Sequence, residues 1–129
     1  MTGANAFANL ERSEIDQLAR RHGFRGRGPR TWSRHKGEFV QLVNLQRSQW
    51  SKDITYLNFA LWPLVLGEPR SFAESKFLFR TRGEHMSAED LPSFFAEADK
   101  LTTLSELAGA LRARRISGGV RKELVPLLG

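Results

Sequence analysis

Hydrophobic and polar residues alternate along three segments of the chain, Glu38 to Arg47, Ile54 to Trp62 and Lys76 to Arg82. A strand points successive side chains to opposite faces of a sheet, so this alternation predicts half-buried strands. A shorter segment, Thr31 to His35, precedes the turn Lys36-Gly37 and predicts a hairpin with the first of them. The sequence therefore predicts a four-stranded antiparallel meander sheet.

Apolar residues recur at helical spacing outside these strands. An N-terminal helix is predicted from Phe7 to His22, and another around Phe94 to Leu101. Thr103 and Glu106 have the spacing of a capping box and predict the start of the next helix. A short last helix is predicted from Val120 onward. We expect the C-terminal helices to pack with the first helix on one face of the sheet, in an α+β fold.

Odd-numbered and even-numbered positions of a strand lie on opposite faces of a sheet, and this parity divides the strand residues between two faces. The core face is predicted to hold Phe39, Val43, Leu45, Leu57, Phe59, Leu61, Phe77 and Phe79, and the second face is mixed. If Phe59 lies beside Val43, Asn58 falls opposite Asn44. Tyr56 then falls opposite Gln46. A similar register on the other side would place Arg80 beside Asn58, which predicts a row of Arg80, Asn58 and Asn44 across three strands.

The polar residues of the second face form the candidate binding site. Amides offer both donors and acceptors, and the arginine fork matches a carboxylate or a phosphate, so the site suits an unknown protein partner or a small anionic ligand. In the structural alternative, Asn44 and Asn58 form hydrogen bonds with each other or with a covering loop, and Arg80 and Arg82 only cover a solvated face. The predicted ligand-binding residues are Asn44, Gln46, Ser48, Trp50, Tyr56, Asn58, Arg80 and Arg82.

Charge is unevenly distributed along the sequence. The formal net charge is +6; residues 20–82 hold thirteen Lys or Arg and four acids, whereas residues 83–111 hold one Lys and six acids. Such a polarised charge can steer an anionic partner, although a basic surface also serves solubility. The basic loop after the first helix offers an alternative function, nucleic-acid binding. Its candidate residues are Arg25, Arg27, Arg30, Arg34 and Lys36.

Composition narrows the function classes. The chain has 129 residues, which fits a single domain over residues 1–129, and no cysteine, which excludes catalytic thiols and thiolate metal sites. The histidines lack paired metal-ligand spacing, and no nucleophile-elbow motif is present. No catalytic residue, metal or cofactor is therefore predicted. A hydrolase-type enzyme with a dispersed triad, such as Ser48, His35 and Glu38, remains the less favoured alternative.

The sequence also bears on location. Residues 1–9 lack a basic segment followed by an apolar run, and no stretch approaches the roughly 20 apolar residues of a membrane span. These patterns predict a soluble cytoplasmic protein that does not bind membranes. Oligomeric state is not indicated by any pattern in the sequence.

Three motifs resemble the bacterial domain-of-unknown-function 4304 family. They are the segment from Val40 to Trp50 with its Asn-x-Gln-x-Ser-x-Trp signature, the segment Tyr56 to Ala60, and the segment Phe79 to Arg82. The resemblance covers about Leu18 to Gly83, with departures in the connection after the third strand and in the helical tail. It implies the fold and the location of the site, and the family has no assigned biochemical activity.

Overall fold

The structure is a computed structural model that describes residues 11–47, 55–83 and 88–129. The predictions for residues 7–10 and for the loop at residues 48–53, including Ser48 and Trp50, lie outside these ranges. In this described part of the chain, one antiparallel sheet contains six strands in chain order, so the α+β class is confirmed and the four-stranded prediction was two strands short. The strands are β1 (Arg25–Gly28), β2 (Thr31–Lys36), β3 (Phe39–Arg47), β4 (Thr55–Pro63), β5 (Phe79–Gly83) and β6 (Gly119–Val120).

The first missed strand is the basic segment that the sequence predicted as a loop. In β1, Arg25 pairs with Ser33 and Gly26 with Trp32, and the register then shifts before Gly28. Gly28 has a φ of +150°, a conformation that suits glycine at a bulge because it has no Cβ. An edge strand pairs on one side only, so it tolerates glycines that would weaken a central strand.

The second missed strand replaces the start of the predicted last helix. Gly119 and Val120 form β6 on the outer edge of β5, and the chain then ends in a 3₁₀ turn, Val125–Leu128. The approach is close because a Cβ on Gly118 would lie 2.3 Å from the carbonyl oxygen of Arg80. Only glycine fits there without a shift of the backbone, which is a packing requirement that helical periodicity does not reveal.

The predicted register is correct between β3 and β4 and wrong between β4 and β5. Val43 pairs with Phe59 and Asn44 with Asn58, as expected. Asn58 pairs with Arg82, however, and Arg80 lies opposite Ala60. The long connection between β4 and β5 does not fix their register in the way a tight turn does, so a shift of two residues preserved the faces but changed the partners.

Three helices lie in the described part of the chain, α1 (Arg12–Arg21), α2 (Leu91–Lys100) and α3 (Leu104–Arg112). The described α1 begins at Arg12 because the backbone of Glu11 is extended. The predicted start of α3 is confirmed, since Thr103 Oγ1 accepts a hydrogen bond from the Glu106 amide. The Glu106 carboxylate accepts from the amide of Thr102, one residue before the position that a capping box requires. One apolar cluster joins the helices to the core face of the sheet; it includes Ile15, Ala19, Trp32, Phe39, Val43, Leu57, Phe59, Phe95, Ala98 and Leu107.

The second face of the sheet is partly covered by the connection between β4 and β5. This connection contains 3₁₀ turns at Leu64–Leu66 and Glu74–Lys76. Phe77 was predicted on the core face but packs in a separate cluster with Val40, Leu42 and Ala60. The reason is that β5 begins only at Phe79, so strand alternation does not yet apply at Phe77. The polar end of the second face lies outside this apolar cluster.

The tip of the β2–β3 hairpin packs against the link between α2 and α3. Lys36 pairs with Phe39, so the two-residue turn is Gly37-Glu38 and not Lys36-Gly37. Gly37 has a φ of +59°, and a Cβ there would lie 2.2 Å from the carbonyl oxygen of Thr102. The Glu38 amide donates to that oxygen at 2.7 Å, and Glu38 Oε1 accepts from the Leu104 amide at 2.6 Å. The hairpin thereby helps to cap α3.

Candidate functional site

A row of polar side chains, Thr31, Asn44, Asn58 and Arg82, crosses four strands on the second face, and we call it the polar row. Asn44 Nδ2 donates to Thr31 Oγ1 at 3.0 Å, and Asn58 Nδ2 donates weakly to Asn44 Oδ1 at 3.4 Å. Gln46 Oε1 accepts from Asn58 Nδ2 at 2.9 Å and from Arg82 Nη2 at 3.2 Å. The bond between Asn44 and Asn58 is the one that the structural alternative predicted.

Exposure changes along the polar row. Asn58 is 3% exposed and lies in the middle, whereas Arg82 is exposed at the β5 end. The Arg82 guanidinium lies 4.5 Å from the ring centroid of Tyr56, and its Nε donates to Asn58 Oδ1 at 3.4 Å. The aromatic ring and the amides orient the guanidinium without neutralising its charge.

Arg80 lies two residues before Arg82 on the same face of β5, with a different partner. Its Nε lies 2.7 Å from Glu74 Oε2 and its Nη2 lies 3.2 Å from Glu74 Oε1, which makes a bidentate ion pair. Hydrogen bonding to Glu74 raises the pKa of Arg80 despite the opposing effect of burial. Arg80 is therefore held in place by a carboxylate, and a guanidinium has five N–H donors, more than this contact uses.

These residues line a pocket of about 480 Å³ where β5 meets β6, which we call the basic pocket. Of the predicted residues, Asn58, Arg80 and Arg82 line it. Asn44, Gln46 and Tyr56 do not line it but contact Asn58 or Arg82. The prediction missed Glu74 and the backbone at Gly118 and Gly119. A signal was present, because two consecutive glycines indicate a close approach of the backbone to another group. The lining residues are Asn58, Glu74, Arg80, Thr81, Arg82, Ser117, Gly118 and Gly119.

The alternative nucleic-acid surface is only partly assembled. Arg25, Arg27 and Arg30 are exposed around β1, and the Arg27 guanidinium lies 4.3 Å from the ring centroid of Phe72. Lys36 is half-buried at the end of β2. Arg34 is only 6% exposed, so its assignment to this surface was wrong. Its side chain belongs to the core side of the molecule, where it binds other protein groups.

Arg34 belongs to a buried network that the sequence prediction missed. Its Nε donates to Gln41 Oε1 at 2.8 Å, and Gln41 Nε2 donates to the carbonyl oxygens of Ala98 at 2.7 Å and Leu101 at 2.9 Å. Gln41 is fully buried, which is tolerated because its polar atoms have partners. Gln41 shares strand parity with Phe39 and Val43, which places it on the core face, but the partners that permit its burial are the distant carbonyl oxygens of Ala98 and Leu101.

The charged end of the buried network lies between α1 and α2. Arg34 Nη2 lies 2.9 Å from Asp99 Oδ1, which makes an ion pair at a guanidinium that is almost fully buried. His22 Nδ1 lies 2.8 Å from Asp99 Oδ2. Burial opposes ionisation of Asp99, but Arg34 and His22 outweigh it and lower the pKa of Asp99. Burial also lowers the pKa of Arg34, which stays charged because guanidinium groups do not deprotonate in proteins.

The hypothetical triad of Ser48, His35 and Glu38 gains no support from the geometry. His35 Nε2 lies 2.8 Å from Glu68 Oε1, Glu38 caps α3, and Ser48 lies outside the described residues. Within residues 11–47, 55–83 and 88–129, no group of three or more His, Asp or Glu side chains is placed to hold a metal ion. The helices in these same ranges are too short and too polar to cross a bilayer.

The fold and the site define a small α+β protein with one antiparallel meander sheet and a polar row that ends in a basic pocket. The chain belongs to the family described as domain of unknown function (DUF4304), whose match runs from residue 15 to residue 128. The match extends the resemblance from the strand motifs through the helical tail, where the sequence alone suggested little similarity. No curated protein and no solved structure matches the chain.

Proposed function

We propose that this domain is a non-enzymatic recognition module whose basic pocket binds a carboxylate or phosphate group of a small ligand or of a partner protein. The observation that carries the proposal is that Arg80, Arg82 and the amide of Asn58 line one pocket. Guanidinium groups form charge-assisted and often bidentate hydrogen bonds with such anions.

The charges around the basic pocket support an anionic ligand. Its lining includes two arginines and one carboxylate, Glu74, so a positive charge remains after Arg80 and Glu74 pair. Arg82 is oriented by Tyr56 and Gln46, so binding would cost less side-chain entropy than ordering a free arginine. The backbone at Gly118 and Gly119 borders the same space and would let an anion approach the main chain.

Inorganic phosphate and acetate are suitable probes for this proposal. We expect phosphate to shift the amide resonances of Gly118 and Gly119 on titration. Arg82→Gln should weaken binding by about tenfold or more, because a hydrogen bond to a charged group contributes roughly 1.5 to 3 kcal/mol. Arg82→Lys keeps the positive charge but loses the planar fork of donors. Its affinity for phosphate should lie between those of the natural chain and of Arg82→Gln.

Arg112→Gln is the matched control, since Arg112 is exposed at the end of α3 and the charge change is the same. Equal losses in Arg82→Gln and Arg112→Gln would mean that net charge and not the basic pocket attracts the anion. Unchanged binding in Arg82→Gln would refute the proposed site.

Nucleic-acid binding is the second candidate function, favoured by the exposure of Arg25, Arg27 and Arg30. Contacts with phosphates release counterions, so the affinity for mixed oligonucleotides should fall steeply as salt rises. Arg25→Gln combined with Arg30→Gln should weaken this binding, whereas Arg82→Gln should not. No binding to oligonucleotides at low salt would eliminate this candidate.

A further inference from the structure

A second cavity of about 470 Å³ lies on the other side of the sheet, between β4, β5, α2 and the segment after α3. We call it the apolar pocket. Phe59 and Phe79 come from the core face of the sheet, opposite to the guanidinium groups on the second face. Thr81, at the edge of β5, lines both this pocket and the basic pocket. Its apolar lining consists of Phe59, Phe79, Phe94, Ala98, Leu101 and Ile116.

The apolar pocket is large enough to hold an organic ligand. Its volume falls within the roughly 300 to 1,000 Å³ typical of small-molecule sites, and far exceeds the space of a single buried water. Phe94 and Ile116 pack against the main core while remaining half-buried, so apolar surface still faces the cavity. The ring centroids of Phe59 and Phe94 lie 6.0 Å apart in an edge-to-face arrangement.

The rim of the apolar pocket is acidic and comes from one side of α2. Asp90, Ser93 and Glu97 line it at positions that share a helical face, and all three are exposed. Glu97 pairs with Lys100 at 3.3 Å, but both side chains are more than half exposed, so the pair is weak and open to competition. The rim lies in the acidic stretch of residues 83–111, which has six acids and one lysine.

We propose that the apolar pocket binds a small amphipathic cation, with an alkyl or aryl body against Phe94 and Ile116 and an ammonium group at the Asp90 and Glu97 rim. Apolar burial would supply most of the affinity and the carboxylates would select the charge. Aromatic rings beside the body favour a nearby cation in addition. This ligand class is opposite in charge to the ligand proposed for the basic pocket, and neither proposal depends on the other.

A series of three probes with one body separates the apolar and charge contributions. Hexylammonium, hexanol and hexanoate are titrated into the full chain at neutral pH, and the amide shifts of α2 report binding. We expect hexylammonium to bind about fivefold more tightly than hexanol, the scale of an exposed ion pair, and hexanoate to bind most weakly. Equal affinities for the ammonium and the alcohol, tighter binding of hexanoate, or no binding of any probe would overturn the proposal.

Surface variants test the rim without disturbing the core. Asp90→Asn combined with Glu97→Gln should abolish the preference for hexylammonium over hexanol while leaving hexanol binding unchanged. Glu123→Gln, an exposed acid near the C-terminus, is the control and should retain the preference. A preference that survives the double variant, or that Glu123→Gln removes, would show that the rim does not select the cation.

Ile116→Ala tests the apolar part of the same site. Shortening this half-buried side chain should lower the affinities for hexylammonium and hexanol by the same factor, about fourfold for the lost methylene contacts. Arg82→Gln should change neither affinity. A thermal unfolding curve of Ile116→Ala checks that the variant is folded, and an unchanged affinity for both probes in a folded variant would contradict the proposal.

Discussion

The buried network and the polar row are made of similar residues on opposite faces of one sheet, yet they differ in what they bind. In the buried network, Arg34 contacts the carbonyl oxygen of His22 at the end of α1 and Asp99 of α2. Gln41 contacts the carbonyl oxygens that end α2. In the polar row, Asn58 and Arg82 contact neighbouring strand residues and border a pocket. The difference teaches that burial by helices makes polar strand residues part of the structural core. In the described residues the same chemistry at the β5 end borders a pocket, which is why we propose a ligand there and not in the buried network.

The largest expected effect is a loss of stability when the buried network is broken, which distinguishes it from the polar row. Arg34→Met should lower the free energy of unfolding by about 3 kcal/mol, because the buried Gln41 Oε1 loses its donor and Asp99 loses its guanidinium partner. Urea unfolding measures the change. Arg21→Met, at an exposed position of α1, is the control and should change stability by less than about 0.5 kcal/mol. A loss of similar size in both variants would show that the network does not tie the helices to the sheet.

The next effect tests the close contact beside the basic pocket. Gly118→Ala should lower the free energy of unfolding by about 2 kcal/mol, since the added Cβ would lie 2.3 Å from the Arg80 carbonyl oxygen and push β6 away from β5. Gly109→Ala in α3 is the matched control. Its added Cβ has no neighbour within 4 Å, so it should stabilise the helix by about 0.5 to 1 kcal/mol. Thermal unfolding of both variants gives the comparison, and a stable Gly118→Ala would contradict the packing argument.

A smaller effect is expected in the polar row. Asn58→Ala should cost about 1 kcal/mol in chemical denaturation, because the residue is 3% exposed and its partners Gln46 and Arg82 can turn to water. Phosphate binding should weaken in the same variant. If Asn58→Ala destabilises the protein as strongly as Arg34→Met, the polar row is as structural as the buried network, and the comparison between them fails.

The smallest effect is the part of the pH dependence of stability that comes from the buried network. The pKa of Asp99 is lower in the folded chain than its ordinary value, so its stabilising contribution is present above the unfolded pKa of about 3.9 and is lost as pH falls through the folded value. Urea midpoints measured from about pH 6 down to about pH 3 should therefore fall less steeply in Asp99→Asn than in the natural chain. Glu123→Gln should leave the slope unchanged, and the same slope in Asp99→Asn would refute the assignment.

Parity predicted the faces of the sheet better than it predicted the partners across it. Asn44 and Asn58 were paired correctly, because the alternation of Val43 and Phe59 fixes which faces meet. Arg80 was paired wrongly, since two registers that differ by two residues bury the same apolar set on β5. The correct register of β5 depends on how Gly118 and the covering 3₁₀ turns pack against it. These contacts are distant in sequence, so strand alternation does not reveal them.

The buried network was missed for a different reason. Gln41 and Arg34 break the apolar pattern of their strands, and a polar residue is ordinarily placed outside the core. Their burial depends on carbonyl oxygens at the end of α2 and on Asp99, which are about sixty residues away. The same limit applies to Arg25 and Gly28, because an edge strand rich in glycine has the composition of a loop and forms only by pairing with β2.

The tip of the β2–β3 hairpin has a consequence for how the molecule assembles. Strands β1 to β4 pair in chain order, so their contacts close over short distances and can form early. Glu38 then caps a helix that begins at Leu104, after most of the remaining chain has been added. The hairpin can therefore form before α3 does and then cap its N-terminus. We expect the amides of α3 to gain full protection from hydrogen exchange only after the sheet has formed.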